Sequence, residues 1–415
     1  MPRRGDRGAG VNRPESVTVV GASAAGLGVV ETLRREGYEG DLTLVGGEPH
    51  LPYDRPPLSK QLLSGAWDVG RLTLRQPEAL QELDVDMRLG VPAVGLDTAK
   101  RAVLLGDGER VGYEALVVAT GASARRLPGT EGVRGVHVLR NLEDAQELKA
   151  ALARRPRLVI VGSGFVGAEA AAVARELGCE VTMVTDVAVP LGDALGAEIG
   201  GMLADVHREH GVRIEPGVMV EGVLADGARQ VRGVQLADGR TIEADVVLVG
   251  IGAGANTGWL KGSSVPVGNG VECDATLYAG DGVWAAGDVA SWVHPGTGRR
   301  TRIEHRTNAA EQGLAVGRNI LAGPGEAKPF APVPYVWSDQ YDLKVQIYGS
   351  TRGADEVRIV EGGLGERRLV ALYGQGGRVC GAAGINMVRV LRAHRRSVAD
   401  AVPWEPEAAL VGGER

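Results

Sequence analysis

Sulfur is scarce in this chain. Three cysteines occur among 415 residues, Cys179, Cys273 and Cys380. They lie far apart, with no Cys-x-x-Cys pair and no even set from which a disulfide framework could be built. A reducing compartment, the cytoplasm, is the expectation. Long apolar runs are missing too: none approaches the roughly 18 residues of a membrane span, so no membrane partner is expected. A basic excess is absent, the formal net charge being -6. That argues against nucleic acid, because nothing offsets phosphate repulsion, while a small acidic partner can still dock on a local basic patch. The opening stretch "MPRRGDRGAGVNRPES" is charged but has no apolar h-region. It is therefore not a secretory signal and is expected to be a disordered leader or a cloning remnant, with a basic arm as the other reading. His207 and His210 stand three apart, but no third ligand is in view and no metal site is expected.

What is present is glycine, 63 residues spread along the chain, in an otherwise ordinary soluble composition of 44% hydrophobic and 24% charged residues. Such glycine suits many tight turns and close backbone contacts. The length allows two or three domains. Ser16–Val20, a helical pattern from Ala24 to about Gly37, and Leu42–Val45 read as a β-α-β unit. The order recurs at Leu158–Val161, Phe165–Leu177 and Glu180–Val184. After each unit comes a hairpin, turning at Gly106-Asp107-Gly108 and at Asp238-Gly239, and then a buried strand. Those strands end in Ala119-Thr120-Gly121 and in Gly250-Ile251-Gly252. A helical segment follows from Thr307 to about Leu321, then the Gly/Pro-rich linker "LAGPGEAKPFAPVP". Residues 335–384 alternate like antiparallel strands, and Met387 to about Val398 reads as one basic helix.

The second turn, Gly162, Gly164 and Gly167 with Phe165 and Val166 between, is G-x-G-x-x-G between strand and helix. That is the spacing at which a backbone approaches a pyrophosphate at a helix N-terminus. The first turn keeps Gly21 and Gly26, with Ala24 and Ala25 between, but has Ser23 in the middle place. A second dinucleotide and a purely structural turn remain equal readings of it alone. Glu48 is well placed to hold an adenosine ribose after the first unit. After the second, Thr185 occupies the expected carboxylate position and Asp186 comes next. From Glu176 through His207 no Lys or Arg occurs. A 2′-phosphate would meet only repelling charges there, which favours NADH over NADPH; the other reading makes Asp186 an exposed loop carboxylate. Gly287-Asp288 follows a short buried strand, as if the chain had returned to its first fold.

With "LPYDRPPLSK", "VVATGA", "GSGFVGAEAA", "VGIGA", "AAGD", "EHRTNAAEQG" and "PYVWSDQYDLKVQIYG" in that order, the chain resembles the FAD-dependent, NAD(P)H-linked ferredoxin reductases of the glutathione-reductase-like class. The resemblance runs from about Ser16 to Val398. It implies an α/β fold of two Rossmann-like nucleotide-binding domains, for FAD and NAD, plus a small C-terminal α+β domain. The expected boundaries are 14–122 and 249–325 for FAD, 123–248 for NAD, and 326–415 for the C-terminal interface domain. It places Lys60, with Arg55 and Pro56, at the flavin; a cation there would stabilise the reduced ring. Arg125 would contact FAD, Ala93 would read adenine by its backbone, and Asp288 would hold the ribityl chain. Glu304, His305 and Arg306 would lie under the pyrimidine edge, and Glu169 near the nicotinamide. Trp337 reads equally as core or as a flavin-side or partner-side aromatic, and for His305 simple packing is the other reading. Arg306 stands where the family often has Trp, and Thr185 where it often has Glu.

No cysteine sits in "PYDRPPLSKQLL", so disulfide reductases and the single-Cys peroxidases and oxidases of this fold are excluded. The resemblance then implies electrons passing from NADH through FAD, singly, to a 2Fe–2S ferredoxin that feeds a cytochrome monooxygenase or Rieske oxygenase. The alternatives are a reductase of rubredoxin, a quinone or oxygen, or a slow flavoprotein similar to apoptosis-inducing factors. Arg389, Arg392, Arg395 and Arg396 would form either a solvated helix face or a dock for the acidic ferredoxin. A monomer or a weak homodimer is expected.

Overall fold

A computed structural model describes residues 13–404. The expectation for the opening stretch falls largely outside the described residues. The chain divides by packing into two units: one runs to Asp54 and adds Thr73–Ser123 and Gly254–Pro332; the other comprises Arg55–Leu72, Ala124–Ala253 and the chain from Val333.

The first unit is built on Ser16–Val20, whose β-branched run pairs in parallel with Asp41–Gly46 on one side and Ala115–Val118 on the other. Asp86–Leu89 and Val283–Ala285 extend that parallel sheet outward. Strands buried on both faces read as continuous apolar runs, as Ala115–Val118 does. Helices Ala24–Arg35 and Arg306–Ala322 pack at unusually short range because glycine faces small residues across the contact. A Cβ on Gly313 would stand 2.4 Å from the Ala25 carbonyl oxygen. The helix expected at Thr307–Leu321 is thus Arg306–Ala322.

The second unit has its own parallel sheet, in which Arg157–Val161 is flanked by Glu180–Val184 and Val246–Val249. Helix Phe165–Glu176 begins at the second glycine turn, with Gly164 as its N-cap. From Tyr335 onward five antiparallel strands form a separate sheet. This sheet shares a core with the nucleotide fold: Leu195, Ile199, Leu203 and Val206 lie among Leu343, Val345, Leu369 and Tyr373. The Tyr373 hydroxyl donates to the Leu195 carbonyl at 2.8 Å. That common core is why the packing division joins the tail to this unit instead of leaving 326–415 by itself. Residues 55–72 also fall in this unit, whereas the sequence expectation has them inside 14–122. The single basic helix expected at 387–398 is two short ones, Val388–Ala393 and Arg395–Ala399, broken at His394. Among the described residues no helix is long and apolar enough to cross a membrane.

Two outcomes are expected. Gly313→Ala forces the two helices apart against backbone, not a yielding side chain, and overpacking of this kind costs about 1–3 kcal/mol; chemical denaturation measures it. His207, 1% exposed, has its pKa pushed down to about 4, chiefly by burial, with His210 adding and the Gln340 hydrogen bond opposing. An unfolded histidine titrates near ~6.5, so the stability associated with the neutral ring is complete above that pH. It is lost toward pH 4 at up to ~1.4 kcal/mol per pH unit. Melting curves of His207→Gln should fall less steeply over that window than those of the parent, in which His305 titrates alike.

Candidate nucleotide-binding and redox site

In the first unit the glycine turn is dictated by backbone proximity. Gly21 has φ +127°, and a Cβ there would lie 2.0 Å from the Ala119 carbonyl oxygen. Gly26 is held equally, its would-be Cβ 1.9 Å from the Gly21 carbonyl oxygen. Ser23 is the N-cap of helix Ala24–Arg35 yet makes no capping hydrogen bond with its side chain. The first-turn amides of that helix, Ala24, Ala25 and Gly26, are the donors a helix cannot use itself, and they suit a phosphate group. Gly287 packs against the same helix, its would-be Cβ 3.1 Å from that of Ala25. The turn is thereby brought beside the start of Arg306–Ala322.

There the structure leaves buried polar atoms without a protein partner: His305 Nδ1, Asn308 Oδ1 and Gln312 Nε2. Gln312 is fully buried and accepts from the Gly287 amide at 2.7 Å, so its amide nitrogen is the orphan. Burial lowers the His305 pKa to about 4, with Asp288 opposing. Orphaned donors and acceptors around a strained glycine turn fit a large polar cofactor. Glu48, after Asp41–Gly46, accepts from Tyr53 Oη at 2.5 Å. Thr120, between Ala119 and Gly121, is tied to Asn256 by two hydrogen bonds, 2.8 and 3.0 Å long. Ala93 opens strand Ala93–Asp97, and its backbone is paired with Leu105. Glu304 is exposed and ion-paired with Arg302 at 2.7 Å. Arg306 bonds Asp54 at 2.5 Å, so its charge is neutralised locally.

In the second unit Gly162 has φ +101° and its would-be Cβ would stand 2.5 Å from the Gly250 carbonyl oxygen. A Cβ on Gly164 would meet nothing within 4 Å, the open space a pyrophosphate needs. Beside this turn Val166 and Ile251 are the exposed apolar side chains, 42% and 37% accessible. Phe165 is half-buried, and Gly252 accepts at its carbonyl from the amide of Arg125, itself exposed. Thr185 is buried and 2.7 Å from Ser163 Oγ, while Asp186 is exposed. The carboxylate free to meet a ribose at this strand end is thus Asp186.

Lys60 and Glu169 meet in this unit. Lys60 Nζ lies 2.7 Å from Glu169 Oε2, with side-chain exposures of 10% and 4%. Ser59 Oγ donates to the same oxygen and Ser338 Oγ to Oε1 at 2.8 Å. Arg55, before Pro56, donates to the Arg140 carbonyl at 2.8 Å. Trp337 stacks on Tyr335 at 5.9 Å and is half-buried in the small sheet. Ser59, Ser338, Gln340, Ser163, Asn256 and Gln312 are hydrogen-bonded neighbours of these residues that the sequence pattern does not single out. For Ser338 and Gln340 the signal is present: two polar residues on the face of a strand whose neighbours pack a core. Their partner is remote in sequence.

Of the three thiols, Cys179 and Cys273 are buried and Cys380 is half-buried. Burial raises the thiol pKa of Cys179 and Cys380 and takes that of Cys273 up to about 12. None is poised as a thiolate relay.

Comparison with known proteins agrees with this arrangement. The pyridine nucleotide-disulphide oxidoreductase family matches residues 15–313, and the reductase C-terminal family matches 335–411. Rhodocoxin reductase of Rhodococcus erythropolis is 34% identical over 95% of this chain and 92% of its own. The ferredoxin--NAD(+) reductase component of the p-cumate 2,3-dioxygenase system of Pseudomonas putida is 34% identical over 94% and 95%. The covalent putidaredoxin reductase–putidaredoxin complex contains a chain that superposes with a TM-score of 0.90 at 31% identity, covering 97% of this chain and 96% of that one. A pair of glycine turns, a first turn ringed by orphaned polar groups and a match over most of the length lead to one assignment: the chain belongs to the pyridine nucleotide-disulphide oxidoreductase family.

Proposed function

We propose that this chain is a flavoprotein reductase. It takes electrons from NADH and delivers them singly to a 2Fe–2S ferredoxin serving a cytochrome monooxygenase or Rieske oxygenase. One observation carries the reading: the chain has two glycine turns at helix N-termini, the second with open space at Gly164, and, among the described residues, no thiol poised to relay electrons between nucleotide and acceptor. Relatives named as ferredoxin reductases over nearly the same length support the acceptor class.

The first unit would hold FAD: Gly21–Gly26 at the pyrophosphate, Glu48 at the ribose, Asp288 at the ribityl chain, and the start of Arg306–Ala322 at the ring. The chemistry supplied by bound FAD is two-electron uptake from nicotinamide and one-electron release. The second unit would hold NADH at Gly162–Gly167, with Asp186 on the adenosine ribose and Val166 and Ile251 shielding the nicotinamide. Lys60 would stand at the flavin, its charge held in place by Glu169. In balance, one NADH yields NAD⁺, one proton and two electrons, one for each of two ferredoxins.

The exposed arginines Arg389, Arg392, Arg395 and Arg396 lie on the two short terminal helices. They would steer an acidic ferredoxin, since opposite charge raises the encounter rate and salt removes the gain.

The decisive experiment follows cytochrome c reduction by NADH with and without added ferredoxin. A rise with ferredoxin is expected, and a rate indifferent to ferredoxin ends the reading. NADH should outperform NADPH in kcat/KM. Asp186→Asn should raise KM for NADH about tenfold with kcat little changed, the signature of a lost ground-state hydrogen bond to a charged group. Arg392→Glu with Arg395→Glu should slow ferredoxin reduction several-fold at low ionic strength, and the deficit should close at high salt.

A further inference from the structure

Behind Lys60 and Glu169 runs a line of buried polar side chains that nucleotide binding does not require. Ser338 and Gln340 are 0% and 1% exposed, on strand Tyr335–Gln340 of the small sheet. Two residues apart, they share one face of that strand. Gln340 Nε2 donates to Ser338 Oγ at 3.2 Å, and its Oε1 faces His207 Nε2 at 3.0 Å. His207 Nδ1 lies 3.2 Å from the Tyr341 hydroxyl. Tyr341 occupies the tight turn after the strand, with φ +54°, and its ring stacks on His210 at 3.7 Å.

The direction of every donor in this line follows from its chemistry. With the Gln340 nitrogen on Ser338, its oxygen must accept from His207, so His207 carries its proton on Nε2. Burial keeps the ring neutral, its pKa near 4, so Nδ1 accepts and the Tyr341 hydroxyl donates. Burial likewise raises the Tyr341 pKa, with Arg175 opposing and Glu176 adding, so the phenol keeps its proton. Ser338 accepts from Gln340 and spends its single proton on Glu169 Oε1. All four donors point the same way and end on the carboxylate. Hydrogen bonds aligned in series polarise one another in a low-dielectric interior. Apolar residues would fill this core at lower cost than buried amide and hydroxyl groups.

We propose that Tyr341, His207, Gln340 and Ser338 form a one-way donor chain that holds Glu169 on Lys60, so that the C-terminal sheet sets the field of that pair. These four are positioning residues, acting through Glu169. The inference rests on the reading above that Lys60 faces the flavin. With the chain intact, part of the negative charge of Glu169 is taken up by Ser338, and more of the Lys60 charge is available outward. Without it, Glu169 offsets Lys60 more completely and reduced flavin is less stabilised.

The test is the two-electron midpoint potential of the FAD-loaded protein, measured anaerobically for the parent, Ser338→Ala, Tyr341→Phe and Lys60→Gln. Ser338→Ala should disfavour reduction about tenfold, a fall of ~30 mV. Tyr341→Phe removes only the outermost donor at a surface turn, keeps the stacked ring, and should give a smaller fall of the same sign. If Ser338→Ala does not fold, Tyr341→Phe decides alone. A potential that moves in Lys60→Gln but stays at the parent value in the other two overturns the donor chain and leaves the Lys60 reading standing. A potential that moves in none of the three overturns the placement of Lys60 at the flavin, and this inference with it.

Discussion

An ion pair kept from water governs the second unit. Lys60 and Glu169 are both almost wholly buried. Removing such charges from water costs several kcal/mol per ion even after relaxation, and mutual attraction repays this only when the remaining hydrogen-bonding capacity is met. Here the carboxylate receives the ammonium and two serine hydroxyls, from Ser59 and Ser338. Acceptor and donors come from three places in the chain: Glu169 from the helix after the second glycine turn, Lys60 and Ser59 from the 55–72 segment, and Ser338 from the C-terminal sheet. The pair thus requires all three to pack together. The division of the molecule by packing, with 55–72 and the tail both joined to the second nucleotide fold, follows that requirement.

The first unit depends on a different constraint, the close approach of backbone to backbone. Gly21 lies against Ala119, Gly313 against Ala25, and Gly287 between Ala25 and Ala309. At Gly21 and Gly313 a side chain would displace main-chain atoms, and at Gly287 it would crowd the Ala25 methyl at a positive φ of +81°. The same closeness sets Gly287 against both helices, and on and just before helix Arg306–Ala322 the side chains of Gln312, Asn308 and His305 keep polar atoms unspent. Ser23 replaces a glycine without harm to this geometry because its backbone is extended, at φ −137°, where any residue is comfortable. The backbone at Ser23 is thus compatible with either reading of the first turn.

Charge and sulfur then narrow the chemistry. Arg306 is matched by Asp54, so the cation that stands in place of the family aromatic is largely offset where it sits. Thr185 is satisfied by Ser163, whereas its neighbour Asp186 is exposed. With two thiols buried, the third half-buried and all three raised in pKa, none is poised to carry electrons between cofactor and acceptor.

Periodicity and glycine spacing sufficed for most of the architecture. Both β-α-β units, the two hairpins, the long helix before the linker and the antiparallel tail were legible, since each depends on local pattern and turn chemistry. The glycine turns were legible for the same reason: their backbone geometry is written in short spacings. What the linear pattern did not reveal was partnership. That Glu169 turns into a buried network, that Ser338 bonds it, and that His207 bonds Gln340 and Tyr341 all depend on contacts that join residues more than a hundred positions apart. The break at His394 and the grouping of 55–72 with the second fold belong there too. Local sequence determined which elements form and where phosphates can approach, because those follow from backbone freedom within a few residues. Only tertiary packing decided which buried charges and hydroxyls meet, because desolvation is relieved by whichever donors the folded core brings within reach.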